Sequence, residues 1–311
     1  MLIACQNNSE KETMNIPEDN ALLQEWKGDY GGVPAFDNLQ LDQLEEAMKV
    51  GMELHLDQLD AIANQEEEPS FENTIVAMQS SGDAIDRVFT YYGIWSSNLS
   101  SQEFRNIQVK LSPQISEYQS KINQNTALFE RIKTVYEKSK SSELAPEKQR
   151  TLNLIYKDFE MSGANLGKED KKRYAAINKE LSELYTQFSN NILHDEENYT
   201  TLFTKEQAAG LPESYLSSAN ETAKEMGHPD QYAVSNTRSS MDPFLTYADN
   251  RELRKKVWTN YYSRGDNGGK YDNNDIVKKI LELRDERVKL LGYENYAQWR
   301  LQDRMAKTPE N

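Results

Sequence analysis

Three observations predict an all-α chain. Apolar residues return at steps of three and four along most of the 311 residues, with Gly, Pro, Ser and Asn punctuating the runs. Hydrophobic residues make up 37% of the sequence, enough for a packed core of helix against helix. Only two stretches, 199–203 and 231–235, have a strand-like composition, so at most one small hairpin or sheet is expected among about a dozen helices.

Charge narrows the partners. With 36 basic and 51 acidic residues the net charge is −15, which opposes phosphate backbones and anionic lipid, so no nucleic-acid partner is expected. No apolar run approaches the roughly 18 residues that cross a bilayer, so no transmembrane helix is expected. The single cysteine excludes an internal disulfide. It sits in Leu2-Ile3-Ala4-Cys5, which has the form of a bacterial lipobox, and the polar residues 6–20 behind it would serve as a tether. Cys5 is therefore a candidate lipid anchor that would place the protein in the cell envelope or periplasm. The basic and most of the apolar parts of a leader are missing before it, and an ordinary cysteine would leave the protein in the cytoplasm.

Composition divides the chain into 1–20 (this tether), 21–198 (a helical region), 199–240 (mixed) and 241–311 (helical again). A short helix is expected over 16–32, with Pro17 in its first turn and Trp26 as an anchor, before a Gly-Gly-Val-Pro turn. Leu41, Leu44, Met48, Met52, Leu56, Leu59 and Ile62 then mark a long amphipathic helix. His55 lies beside that stripe and is read as a packed or solvated histidine, since no partner stands at ligand spacing. After an acidic turn, a helix starting at Ser70 carries Phe71, Ile75, Met78, Ile85, Val88, Phe89, Tyr92 and Trp95. This aromatic face suits either a core seam, the preferred reading, or a wall for peptide side chains. Residues 101–139 continue the pattern, with a kink or restart expected at Pro113, and 138–144 form a loop. Helices follow over 146–161 and 168–191.

His194-Asp195-Glu196-Glu197 is the only place where a histidine and carboxylates cluster. His and Glu three apart can share a metal, but two ligands do not hold a catalytic zinc, so a helix end or loop is the preferred reading. In the mixed region the strands 199–203 and 231–235 suit a structural hairpin, or an edge that pairs with a peptide. In 241–305, Asn250 or Asp249 caps a helix whose expected apolar positions are Leu253, Val257, Trp258, Tyr261 and Tyr262. A second helix with Ile276, Ile280, Leu283, Val288 and Leu291 buried ends at Gly292, and a third begins near Glu294. Arg251, Arg254 and Arg264 could clasp a peptide carboxylate, though ion pairs between helices are the plainer use.

The series DPFLTYADNRELRKKVW, SRGDNGGKYDNNDIVKKILELRDERVKLLGY and LQDRMAKTPEN, together with FDNLQLDQLEEAMKVGMELHLDQLDAIANQEEEPSFENTIVAM, resembles the N-terminal half of the thimet oligopeptidase family. Within it the likeness is greatest to the bacterial peptidyl-dipeptidase (dipeptidyl carboxypeptidase) branch, and it covers roughly residues 30–311. The resemblance implies a helical array forming one wall of a substrate channel, in a zinc metallopeptidase that releases C-terminal dipeptides from short peptides. In that family an H-E-x-x-H helix and a later Glu hold zinc, the motif Glu acts as general base, and the metal polarises the carbonyl and activates water.

None of His55, His194 and His228 is followed by Glu-x-x-His. The expectation is therefore a fragment with no catalytic and no metal residues in this chain, inactive alone, with zinc only in the full-length protein. Its partners would be short peptides and a C-terminal catalytic half. The alternative is a non-catalytic helical envelope lipoprotein that binds peptides or a partner protein.

Overall fold

The computed structural model describes residues 16–29, 32–141 and 144–311, so Cys5 and the lipobox-like motif lie outside the described residues. The chain is mostly helical and divides into two compact units. One contains the described residues up to Lys179 together with Arg287–Asn311; the other is Glu180–Glu286. Among the described residues no helix is long and apolar enough to cross a membrane.

The first unit is arranged on α1 (Leu44–Asn64). The N-terminal end of its stripe, Leu44, Ala47, Met48 and Met52, joins a core with α3 (Asp83–Ser97) and α4 (Gln102–Asn123) that includes Ile85, Val88, Tyr91, Phe104 and Leu111. Leu59 and Ala63, about two and three turns further on, join a different core with α5 (Thr126–Ser139) and α6 (Pro146–Met161), where Leu128, Phe129, Ile132, Leu152 and Phe159 are buried. Each fully buried side chain of this kind contributes about 1.5–3 kcal/mol. The acidic turn after α1 is fixed from within. Buried Arg131 donates to the carbonyls of Gln65 and Glu67 and to Asn73 Oδ1, at 3.0–3.1 Å.

Four expectations change. Residues 17–24 form successive turns rather than a helix, because buried Asn20 accepts from Leu22 N and donates to Gln43 O, competing with the helical ladder. Trp26 is an anchor all the same, donating to the Tyr91 hydroxyl at 2.9 Å. The aromatic helix from Ser70 is broken in two: a π-helical turn, Phe71–Val76, leads into α2 (Ala77–Gln79), and the chain reverses before α3 at Gly82. Gly82 has φ +90°, and a Cβ there would sit 3.2 Å from the His55 ring. Its aromatic residues fall accordingly into both cores, Phe71 in one and Tyr91 and Trp95 in the other. Helix α4 runs through Pro113 without restarting. The carbonyl deprived of its donor is that of Val109, which is exposed, and the restart comes at Asn125, whose side chain caps α5. Finally, α7 (Lys168–Asn198) continues two turns beyond Asn191, so His194–Glu197 is helical.

The second unit contains β1 (Thr201–Phe203), α8 (Glu213–Glu225), β2 (Tyr232–Val234), α9 (Arg238–Tyr247), α10 (Arg251–Tyr262) and most of α11 (Asn274–Leu290); α12 (Tyr296–Leu301) belongs to the first. The strands pair antiparallel, Thr201 with Val234 and Phe203 with Tyr232. Phe203 meets Phe244 edge-on at 5.4 Å within a core that includes Val234, Met241 and Val257. Helix α9, with Pro243 inside it, was not expected from the sequence.

His55 stands on α1 between the residues that serve the two cores. The Ser81 hydroxyl donates to Met78 O, so His55 Nε2 must donate to Ser81 Oγ at 3.1 Å, and Nδ1 accepts from the Tyr118 hydroxyl at 2.5 Å. Burial holds this imidazole below its ordinary pKa of 6.5 against the opposing charge of Asp86, and pushes Tyr118 up to about 12. The unfolded chain thus binds the proton more readily. The stabilisation is complete above pH 6.5 and is lost as pH falls through the lower, folded-state value. Urea unfolding of wild type and His55→Leu should therefore give a stability gap at about pH 7.5 that narrows by about pH 5. A gap equal at both pH values would refute this role.

Candidate functional site

The His194–Glu197 cluster is brought together with the glycine-rich loop before α11. Asp195, 3% exposed, accepts through Oδ2 from Gly265 N and Asn267 Nδ2, both at 2.8 Å, while Oδ1 faces His194 Nδ1 at 3.2 Å. His194 stacks on Tyr271 with ring centroids 3.5 Å apart. Glu196 is ion-paired with Arg264, whose guanidinium lies 3.8 Å over the Tyr261 ring. Gly265 takes φ +73°, and a Cβ there would come within 2.6 Å of Asn273 Nδ2. Buried Asn273 in turn donates to Phe188 O and accepts from Asn191. Just before α11, Asp272 accepts from Asn274 N and Gly268 N, and these hydrogen bonds hold its carboxyl below the usual range.

Chemically this is a clamp. Asp195 is nearly inaccessible and engaged by two donors through Oδ2, and Glu196 has its cation, so neither is presented to a substrate. No three His, Cys, Asp or Glu side chains among the described residues are placed to hold a metal ion. His55 and His194 are engaged as described and His228 is exposed, so the described residues do not fit a zinc site. His55 activates no nucleophile either, because the Ser81 proton is committed to a carbonyl.

The three arginines part company. Arg254 donates to the carbonyls of Ala248 and Asp249 at the end of α9, and Arg264 pairs with Glu196; both are structural. Arg251 is exposed on α10. That helix departs from expectation. Val257 is buried at 3% and Leu253 and Tyr261 pack on the core, but Trp258 and Tyr262 are 53% and 63% exposed. At about 100° per residue, these two lie roughly 100–140° round from Val257, outside any single buried arc. The step of three or four was right, but the choice between two adjacent stripes was not legible without the neighbouring elements. Helix α10 is held rigidly: Asn260 donates to Tyr199 O and Thr201 Oγ1, and buried Asn236 donates to the carbonyls of Asp195 and Asn260. The two strands form a two-stranded antiparallel sheet rather than a hairpin, since α8 lies between them in the chain, and they place Phe203, Ala233 and Val234 in buried positions.

Replacing Asp195 by Ala leaves the buried Gly265 N–H without its acceptor and should cost about 3 kcal/mol. Hydrogen exchange should quicken at Gly265 and Gly268 more than in α8. Unchanged exchange in the loop would mean that Asp195 does not hold it.

Comparison with known proteins places these elements. Residues 244–311 match peptidase family M3, and residues 41–172 match the neurolysin/thimet oligopeptidase N-terminal domain. Oligopeptidase A of Salmonella typhimurium is 34% identical over 246 residues, covering 78% of this chain and 36% of the relative. Dipeptidyl carboxypeptidase of the same organism is 28% identical over 278 residues, 89% of this chain and 41% of the relative. A protein of Arabidopsis thaliana named "Probable cytosolic oligopeptidase A" is 28% identical over 297 residues, 92% and 41%. The chain thus spans well under half the length of these relatives. It belongs to peptidase family M3 and corresponds to the N-terminal portion of the family's oligopeptidase A and dipeptidyl carboxypeptidase members.

Proposed function

We propose that this chain is the helical, non-catalytic part of a zinc-dependent oligopeptidase that cleaves short peptides and releases dipeptides from their C-termini. The observation that carries the reading is the ordered match of both family segments, 41–172 and 244–311, along one chain. Its role is to form one wall of the substrate channel. A wall of packed helices admits an extended peptide and excludes a folded domain, a filter on size rather than on sequence. The catalytic part of the enzyme is its partner, and zinc belongs to that part, because the described residues here do not fit it. Of the two locations the sequence allows, the cytoplasm agrees with the cytosolic name of the Arabidopsis relative. The envelope location rests on Cys5 alone.

Two measurements test this reading. The purified 311-residue chain should contain no stoichiometric zinc and release no dipeptide from a short peptide, read by elemental analysis and mass spectrometry. Zinc at one per chain together with release would overturn the non-catalytic assignment. For the native gene product with its catalytic part, amidating the substrate's C-terminus should slow dipeptide release at least about tenfold, the effect of removing a charged recognition group. Equal rates on free and amidated peptides would refute the dipeptidyl reading and favour internal cleavage.

A further inference from the structure

The outer face of α10 carries Arg251, Lys255, Trp258 and Tyr262, at steps of four, three and four. With about 100° per residue these four fall within roughly 60° of arc and run about 16 Å along the helix. All four are exposed. The Trp258 and Tyr262 rings lie 5.2 Å apart at 35°, forming a continuous aromatic surface. Among the described residues neither Arg251 nor Lys255 makes an ion pair, although the chain as a whole has 51 acidic residues to 36 basic. Some exposed cations elsewhere do find carboxylates, as Lys110 with Glu45 and Lys148 with Glu72. Arg238 of α9 lies near enough to Tyr261 and Tyr262 to interact with them, and it is held by Asp242 at 3.0 Å. The acidic residue nearest in sequence on α10 itself, Glu252, points about 100° away from the Arg251 direction.

We propose that this face is a docking surface for an acidic peptide segment, one whose carboxylates precede a large apolar or aromatic side chain. Charge complementarity selects the occupant. The two unpaired cations sit at the N-terminal end of α10, where the helix dipole also favours negative charge, and the two aromatic rings follow within two turns. An extended segment of about five residues spans the same 16 Å. Its carboxylates meet Arg251 and Lys255 while its apolar side chain lies on Trp258 and Tyr262. The net charge of −15 does not forbid this, because beyond about 10 Å at 0.1 M salt the remaining charges are screened and the nearest groups decide. The surface is independent of the peptidase reading, since it requires no catalysis.

The test is fluorescence anisotropy of a labelled acidic octapeptide ending in Phe-Leu, titrated with the 311-residue chain. Binding should saturate, weaken as salt rises from about 0.05 to about 0.3 M, and fall at least about tenfold in Arg251→Glu/Lys255→Glu and in Trp258→Ala. The charge-matched control is Lys49→Glu/Lys168→Glu, two exposed lysines of the other unit, which should bind as wild type does. Circular dichroism melting checks that each variant is folded. Equal losses in the control and in the α10 charge variant would reduce the effect to net charge and overturn the site, as would the absence of saturable binding. Sedimentation that detects self-association abolished by Trp258→Ala would assign the face to a second copy of the chain instead, and would equally overturn it.

Discussion

The first unit depends on one helix serving two cores. Along α1 the apolar stripe gives Leu44, Ala47, Met48 and Met52 to one cluster and Leu59 and Ala63 to the other. A single helix can do this because its stripe is longer than any one partner can cover, and the partners therefore change along its length. Where they change, the helix carries His55 instead of a hydrocarbon. A polar side chain at such a junction must find partners or lose hydration without compensation, and Tyr118 and Ser81 supply them from α4 and from the turn before α3. The same turn closes on the imidazole through Gly82. The junction is thus specified by directional bonds, and the cores on either side by volume.

The second unit uses the same device with a carboxylate. Asp195 is nearly inaccessible, yet it satisfies a backbone N–H and a side-chain amide of a loop that has little apolar surface of its own. A glycine-rich loop left to itself would lose conformational entropy on ordering with no burial to offset it. Charge-assisted hydrogen bonds from one helix end supply the compensation. Asn236 and Asn260 extend this network from the end of α7 to α10 and β1, so the position of α10 is set by amide geometry. Rigidity of that kind suits a surface whose side chains point outward.

What was legible in the sequence follows from the physics of each signal. Helices with a clear stripe and a capping residue were legible: α6 opens at Pro146 and α10 is capped by Asn250, because these signals act within one turn of the chain. The break at Gly82 was not, because the reason for it is the His55 ring, 27 residues away. Nor was the turn structure around Asn20, whose side chain bonds a carbonyl 23 residues on. The absence of an H-E-x-x-H pattern could be read directly, as could the isolation of the three histidines. The exposure of Trp258 and Tyr262 could not, since an aromatic residue at helical spacing reads as core until the neighbouring elements are placed. Long-range contacts are the common factor in what sequence periodicity misses.

That last case bears on what the surface of a helical scaffold can do. Exposed ion pairs contribute little to stability, and an excess of exposed carboxylates chiefly keeps a surface hydrated. A pair of aromatic rings is different, because their apolar faces are poorly hydrated and, among the described residues, Arg251 and Lys255 beside them make no ion pair. Leaving both features unpartnered on one stripe of a rigidly mounted helix forgoes burial that neighbouring residues could have supplied. An occupant that brings carboxylates and an apolar side chain together recovers both terms in one contact. An apolar partner alone would cover the rings but desolvate Arg251 and Lys255 without pairing them, and a basic partner would be repelled by them.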